Sequence, residues 1–490
     1  MPPSAGPAAG PAAGSERENK SLRYNGNPLR FNRRALLASL ILAPAAGARA
    51  DTGAGDTHMP PPGPLTLTAG ESAHAFDDAQ PSVKLWTYNA RFPGPLLRVR
   101  RGEALALRLH NTLAQPTSLH WYGARLANAA DGVAGLTGPA LAPGESADIG
   151  FTARDAGTFF YRPLVPAHAA EQAERGLTGV LVVDEETPPY ADDITLVLDD
   201  IALDESGQIR DSFASPAETG LAGRLGNRLL INGRATPERL TRPPGRRLRL
   251  RVVNVANARP ITLRFDSLVT HIIAADGQPV DAPFPPSRDS VALAPGGRVD
   301  AVLDTPADGL SGRVVAALGK DGLPLLVLSG EGAAEADAGA PVTGLPPGDL
   351  PESLDLAAAR RFDVAIEGGL DPAAPAARAA DPARIWRLGG RAWPDTAERP
   401  LFRVAAGTPV VLALENRTAF LQVLHLHGHH ARRLHALDDG WEPFWLDTIA
   451  VPPGQTARIA FLADNPGRWM LGSAVLDRLG AGLAGWFEVG

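Results

Sequence analysis

Five of the eleven histidines fall between positions 425 and 435. His425 and His427 stand two residues apart in an alternating stretch, so on a strand both side chains leave by the same face. Two imidazoles on one face form a metal-ligand pair, because neutral imidazole suits copper and zinc. His120 and Tyr122 have the same spacing much earlier in the chain. His120 lies nine residues after Asn111, and His425 lies nine residues after Asn416. Leu263 occupies the equivalent place after Asn254. Histidine therefore marks two of three matched positions. His429, His430 and His435 read as surface or packing residues, with a weak surface metal site as the alternative. The chain has no cysteine, which removes disulfides, thiolate nucleophiles and thiolate metal ligands.

The elements that must position these residues come as an internal repeat. Gly102, Gly245 and Gly407 each open an alternating apolar run that ends nine residues later at Asn111, Asn254 and Asn416. Period-two alternation predicts a strand with one buried face. A Pro-Gly turn follows each run, at Pro143-Gly144, Pro295-Gly296 and Pro453-Gly454, spaced by 152 and 158 residues. Another strand follows each turn, such as the one carrying Ala457, Ile459 and Phe461. Three β-rich units of about 150 residues also match the domain count expected from length. Gly and Pro make up a fifth of the 490 residues, which favours turns and short strands over long helices. One short helix is expected near Ala169–Arg175.

Residues 1–50 read as a disordered start and a targeting segment. Arg33-Arg34, the apolar run 35–43 and Ala48-Arg49-Ala50 form a charged region, a short apolar core and a small-residue cleavage site. The arginine pair resembles a twin-arginine signal, which implies export to the periplasm. No segment after residue 50 is apolar enough to cross a membrane. A net charge of −7 gives no support for nucleic-acid binding. Polar, Pro-rich stretches at 185–190 and 332–349 divide the remainder into units 51–190, 191–345 and 346–490. Arg247, Arg249 and Arg251 alternate along one strand and are expected on a solvated face. Trp121, Trp441, Trp445 and Trp469 are expected to pack. Asp131 is expected to serve a turn, with support of a metal ligand as the alternative.

Several motifs resemble multicopper oxidases. In the first unit these are Asn89-Ala90-Arg91-Phe92-Pro93-Gly94-Pro95, Ser118-Leu119-His120-Trp121-Tyr122-Gly123, Asp131-Gly132-Val133 and Gly157-Thr158-Phe159-Phe160-Tyr161. The middle unit has Leu230-Ile231-Asn232-Gly233, Asp276-Gly277 and Leu293-Ala294-Pro295-Gly296. The last has His425-Leu426-His427-Gly428-His429, Asp447-Thr448 and Asn465-Pro466-Gly467. The resemblance implies an all-β chain of three consecutive cupredoxin-like Greek-key β-sandwich domains. It also implies a mononuclear copper site in the third domain and a trinuclear cluster between the first and third.

Measured against that pattern, most ligand positions hold other residues. The two His-x-His pairs of the first domain read His120-Trp121-Tyr122 and Arg162-Pro163-Leu164. The His-Pro-x-His-x-His motif begins at Gln422 and keeps only His425 and His427. The His-Cys-His motif reads Gly472-Ser473-Ala474, followed by Arg478, with Leu483 at the axial place. By resemblance His120 and His425 match type 2 ligands and His427 a type 3 ligand. A blue-copper centre requires a thiolate that Ser473 does not supply. Arg162 would put a permanent cation where a metal ion binds. No catalytic residue is assigned, and laccase-type oxygen reduction is predicted absent. The expected cofactor is none, or a single copper ion, not the full four. Three readings follow. The first is an exported, non-catalytic scaffold or interaction protein with a periplasmic protein partner, by analogy with a copper-free family relative at the bacterial division septum. The second is a copper- or zinc-binding protein using His120, His425 and His427. The third is an oxidoreductase with altered chemistry at one type 2-like copper.

Overall fold

Leu105, Leu107 and Leu109 are buried on one face of the strand Ala104–Asn111, while the alternate residues stay exposed. Leu248, Leu250 and Val252 are buried at the matching places on Arg247–Asn254, as are Val410, Leu412 and Leu414 on Thr408–Asn416, although in these two strands several alternate residues are buried as well. The computed structural model describes residues 65–490, apart from 78–80, 214, 336–338, 374–380 and 437–439. The targeting segment expected over residues 1–50 lies outside the described residues.

Each of the three strands has the same neighbours. One side pairs in parallel, with Leu65–His74, Asp193–Ile201 and Arg360–Gly368 respectively. The other pairs antiparallel, with Ser146–Thr152, Arg298–Asp304 and Thr456–Ala463. A second sheet faces each of these, giving six sheets among the described residues and a separate apolar core between each pair. Leu263, in the unit without a matched histidine, is fully buried in the middle core. The chain is thus all-β with three cupredoxin-like sandwiches. The expected short helix forms over Ala169–Glu174.

The repeated asparagine has a structural reason. Asn111 Nδ2 donates to the carbonyls of Gln115 and Leu141, and its Oδ1 accepts from the Leu113 N–H. Asn254 makes the same three bonds with Arg259, Leu293 and Ala256. Asn416 makes them with Phe420, Val451 and Thr418. Its backbone carbonyl accepts from the glycine of the following turn, as happens in all three units: Gly144 to Asn111, Gly296 to Asn254, Gly454 to Asn416. A carboxamide offers two donors and an acceptor on one planar group, so it clamps two connections to one strand end. The turn glycines sit at φ +81°, +84° and +67°, a region open to glycine at little cost.

Charged groups join the sandwiches. Arg249 bridges Glu185 at 2.9 Å and Asp300 at 2.7 Å, and Arg251 bonds Asp193 at 2.8 Å and the Thr158 hydroxyl at 2.9 Å. Both are buried, contrary to the solvated face expected for them, because the first sandwich and not water covers that side of the strand. Arg247, half-buried, pairs with Asp304. Arg224 lies where all three sandwiches meet. Its Nε is 3.0 Å from Glu174 at the end of the helix Ala169–Glu174, and its Nη1 is 3.2 Å from Glu218. Its backbone N–H donates to Asp477 in the helix Leu476–Gly480. Asp199 and Asp200 lie nearby, Asp200 paired with Arg259. Burial pushes the Glu174 carboxyl up to about 7, although Arg224 opposes this, and the Asp477 carboxyl up to about 6.

Two expectations follow. Asn416→Ala strands buried backbone groups, each at about 1–3 kcal/mol, and should lower the urea midpoint accordingly; an unchanged midpoint would refute the clamp. The Glu174 proton is held more tightly in the folded chain than in the unfolded one, whose carboxyl titrates near 4.5. Its contribution is fully present below pH 4.5 and lost as pH rises towards 7. Glu174→Gln should flatten stability against pH across that window, measured by thermal unfolding at closely spaced pH values.

Candidate metal centre

His120 begins the strand His120–Tyr122 in the first sandwich, while His425 lies on Gln422–Leu426 in the third, with His427 just beyond it. The three are buried, and one ligand nitrogen from each lies within 4.8 Å of the others, the only such group among the described residues. The predicted pairing across units therefore forms. His120 and His427 stack with ring centres 4.2 Å apart, and Tyr122 stacks on His425 at 4.5 Å.

The hydrogen bonds at Nδ1 fix which nitrogen faces inward. His120 Nδ1 donates to the Asp131 carbonyl at 2.6 Å, and a carbonyl can only accept. His427 Nδ1 donates to the Asp131 carboxylate at 3.1 Å, and His425 Nδ1 to Asp447 at 3.1 Å. Burial alone would raise both carboxyls. Attraction from His427 and His120 instead holds Asp131 well below the usual carboxylate range, and Arg298 does the same for Asp447. Burial, aided by His427, pushes His425 down to about 3, and burial lowers His427. Nε2 of His120 and Nε2 of His425 face each other at 3.2 Å, hydrogen-bond distance when one of them carries a proton. With all three Nδ1 atoms bonded outward, the inner side of the three rings is left to face a metal ion. This donor set fits one metal ion, with Asp131 and Asp447 orienting the ligands from behind.

Asp131 thus does more than the turn role expected of it. Gly132 follows at φ +74°, and a Cβ there would stand 1.8 Å from the Leu119 carbonyl oxygen, so only glycine brings this turn against the His120 strand. Asp447 also bonds Arg298 of the middle sandwich and Thr448, with His430 at 3.3 Å. The sequence displayed Asp276-Gly277 and Asp447-Thr448 as motifs, but the roles of Asp447, Asp276 and Arg298 depend on contacts between units. His429 and His430 are buried packing residues and His435 is exposed, so the three do not form a surface metal site. His429 lies among Phe461, Trp469 and Phe487. Trp121, Trp445 and Trp469 are buried, and Trp441 is half-buried.

The remaining positions named by the resemblance are placed as follows. Arg162 sits directly across from His120 on paired strands. It is fully buried, donates from Nη2 to the Tyr122 hydroxyl at 2.7 Å, and stacks 4.2 Å from that ring. Leu164 is buried in a small apolar cluster with Leu476 and Leu479. Gly472 and Ser473 lie beside His425 and Leu424 on the adjoining strand, and Ala474 follows. Ser473 Oγ accepts from the Val475 N–H. Arg478 is buried beside Gln422, to whose Oε1 it donates at 2.9 Å, and it bonds the Leu421 and Leu221 carbonyls. Its guanidinium lies 4.8 Å from the Trp386 ring and 5.4 Å from Phe420. Leu483 is fully buried. At the positions that the resemblance gives to copper ligands, Arg162 and Arg478 place two guanidiniums, and a guanidinium neither deprotonates nor ligates, so these two residues do not fit a copper ion.

Three cupredoxin-like sandwiches with a histidine site shared by the first and third define the multicopper-oxidase class of fold. Family models described as multicopper oxidase match residues 70–188, 192–311 and 371–490. The multicopper oxidase MmcO of Mycobacterium tuberculosis is 30% identical over 87% of this chain and 88% of its own. This chain belongs to the multicopper oxidase family. A multicopper oxidase structure from Pseudomonas thermotolerans superposes with a TM-score of 0.76 at 29% identity, covering 87% of this chain and 99% of that one. The cell division protein FtsP of Haemophilus influenzae is 30% identical over 49% of this chain and 50% of its own.

Removing the Asp447 carboxylate leaves Arg298 buried without its main counter-charge. Asp447→Ala should cost about 3–5 kcal/mol, read by denaturant unfolding. A loss below about 1 kcal/mol, the scale of a surface pair, would show that the pair does not hold the two sandwiches together.

Proposed function

We propose that this chain is a non-oxidase member of its family that works by binding, as an exported scaffold or interaction protein of the periplasm. The observation that carries this reading is the pair of buried guanidiniums, Arg162 and Arg478, at family ligand positions in a chain without cysteine. The type 1 position is then occupied by Arg478, Gln422 and Ser473, which bond other protein groups, and no thiolate is present to pass electrons inward. The likeness to a cell division protein over half the chain supports a scaffold role, and the Arg33-Arg34 segment supports export.

Copper-treated protein should turn over neither phenols, diamines nor cuprous ion, and should show no intense visible thiolate-to-copper band. Ser473→Cys should leave both results unchanged, because Arg478 and Gln422 still fill the space. Affinity capture from the envelope fraction should recover a specific partner. Oxidase turnover by the native chain, or no partner and no envelope location, would refute the reading.

The facing Nε2 atoms of His120 and His425 favour a second reading alongside the first: one metal ion held by His120, His425 and His427. An ion there would supply Lewis acidity or a one-electron couple. The chain's own part is to fix three ring orientations through Asp131 and Asp447 and to seal the site with Tyr122.

A further inference from the structure

We infer that the cleft between the first sandwich and the strap 346–349 (Pro-Pro-Gly-Asp) binds an acidic, extended peptide segment of a partner, and that Asp349 holds the place of that segment's carboxylate. This rests on the binding role proposed above and adds the chemistry of what is bound.

The cleft has a volume of about 1100 Å³. Small-ligand sites span roughly 300–1,000 Å³, so there is room for several peptide residues. Leu126, Phe151 and Pro279 supply apolar wall. Three lining arginines, Arg101, Arg125 and Arg154, gather around Asp349. Arg101 pairs with its carboxylate, Arg154 Nε lies 3.8 Å away, and Arg125 feels its charge. Arg101 Nε also donates to the Arg154 carbonyl at 3.1 Å, which holds those two residues together. The lining acids compete little for these cations. Glu103 accepts from the Arg100 N–H, Glu185 pairs with Arg249, and Glu186 is exposed, where water and salt screen it.

Two observations make Asp349 a replaceable occupant. The first is exposure. The Asp349 side chain is 47% exposed and that of Arg101 is 36% exposed, and an ion pair so open to water contributes little when formed. The second is a surplus of buried donors behind the strap. Arg125 grips Asp155 with Nε at 2.7 Å and Nη2 at 2.6 Å. Its Nη1 is buried without a hydrogen bond, 3.5 Å from the Asp464 carboxylate. Gln278 is buried against Gly348, where a Cβ would stand 3.2 Å from its Oε1, and its Nε2 has no partner. Buried donors call for acceptor oxygens, and Asp349 satisfies neither of these two. A carboxylate flanked by peptide carbonyls brings several acceptors on one short segment. The strap itself shows the form of such a ligand. Prolines at 346 and 347 fix φ, so a segment of this kind is already extended and loses little freedom on binding.

The test uses the full chain and a fluorescently labelled, end-blocked peptide copying residues 345–351, read by fluorescence anisotropy at low salt. Asp349→Ala should bind this peptide at least about fivefold more tightly than the native chain, because the internal competitor is gone. Asp349→Asn within the peptide should weaken its binding to the Asp349→Ala chain by about fivefold or more. Arg154→Met, added to the Asp349→Ala chain, should do the same while circular dichroism shows the fold intact. Equal binding by the native and Asp349→Ala chains, equal binding of the two peptides, or no binding at all overturns the inference. Displacement by malonate at the peptide's own concentration would overturn it too, by showing a site for any small dicarboxylate. Each of these failures leaves the interaction-protein reading standing, since capture of a partner from the envelope tests that separately.

Discussion

A guanidinium keeps its charge at any pH the protein meets, so each one taken into the interior must find acceptors there. Arg162, Arg224, Arg249, Arg251, Arg298 and Arg478 are all fully buried. Their partners come mostly from distant parts of the chain. Arg249 joins Glu185 to Asp300, Arg224 joins Glu174 to the Asp477 helix, and Arg298 joins Asp276 to Asp447. Breaking one such set leaves a bare charge in a dry setting, which costs far more than the pair yields when formed. The arginines therefore fix the arrangement of the three sandwiches, beyond what apolar contact alone would specify. The histidine centre depends on that arrangement, because His120 and His427 share Asp131 across two sandwiches, and His425 bonds Asp447, the carboxylate held by Arg298 of a third.

What was legible in the sequence was whatever repeats locally. Asn111, Asn254 and Asn416 were visible by spacing, and each makes the same local clamp, with partners two to five residues away plus one further connection. The alternation that buries Leu248 and Leu250 was equally visible. The same alternation misled on Arg249 and Arg251. Period two says that they share the other face, but not that a second sandwich covers it. His120 and His425 were legible because the repeat made them equivalent. Asp447 and Arg298 were not, since no spacing within a unit records a bond between units. His429 and His430 were read as surface or packing residues, and burial among Phe461, Trp469 and Phe487 decided for packing at His429.

The positions of Arg162 and Arg478 follow a common logic. On the family reading, each stands where a copper ligand is expected, and each brings a positive charge to a place whose surroundings are built to receive one. At Arg478 the acceptors are two backbone carbonyls, the Gln422 oxygen and two aromatic faces. Those groups would be left without partners beside an empty pocket, and a leucine of similar volume would satisfy none of them. At Arg162 the Tyr122 hydroxyl and ring do the same. On that reading, a guanidinium supplies the positive charge and the packing that a metal ion would bring to the same place, without a redox-active centre. The three histidines left between these two arginines have no such substitute. They keep one ligand nitrogen each within 4.8 Å of the others, the only such group among the described residues, so any metal chemistry retained by this set has to reside there.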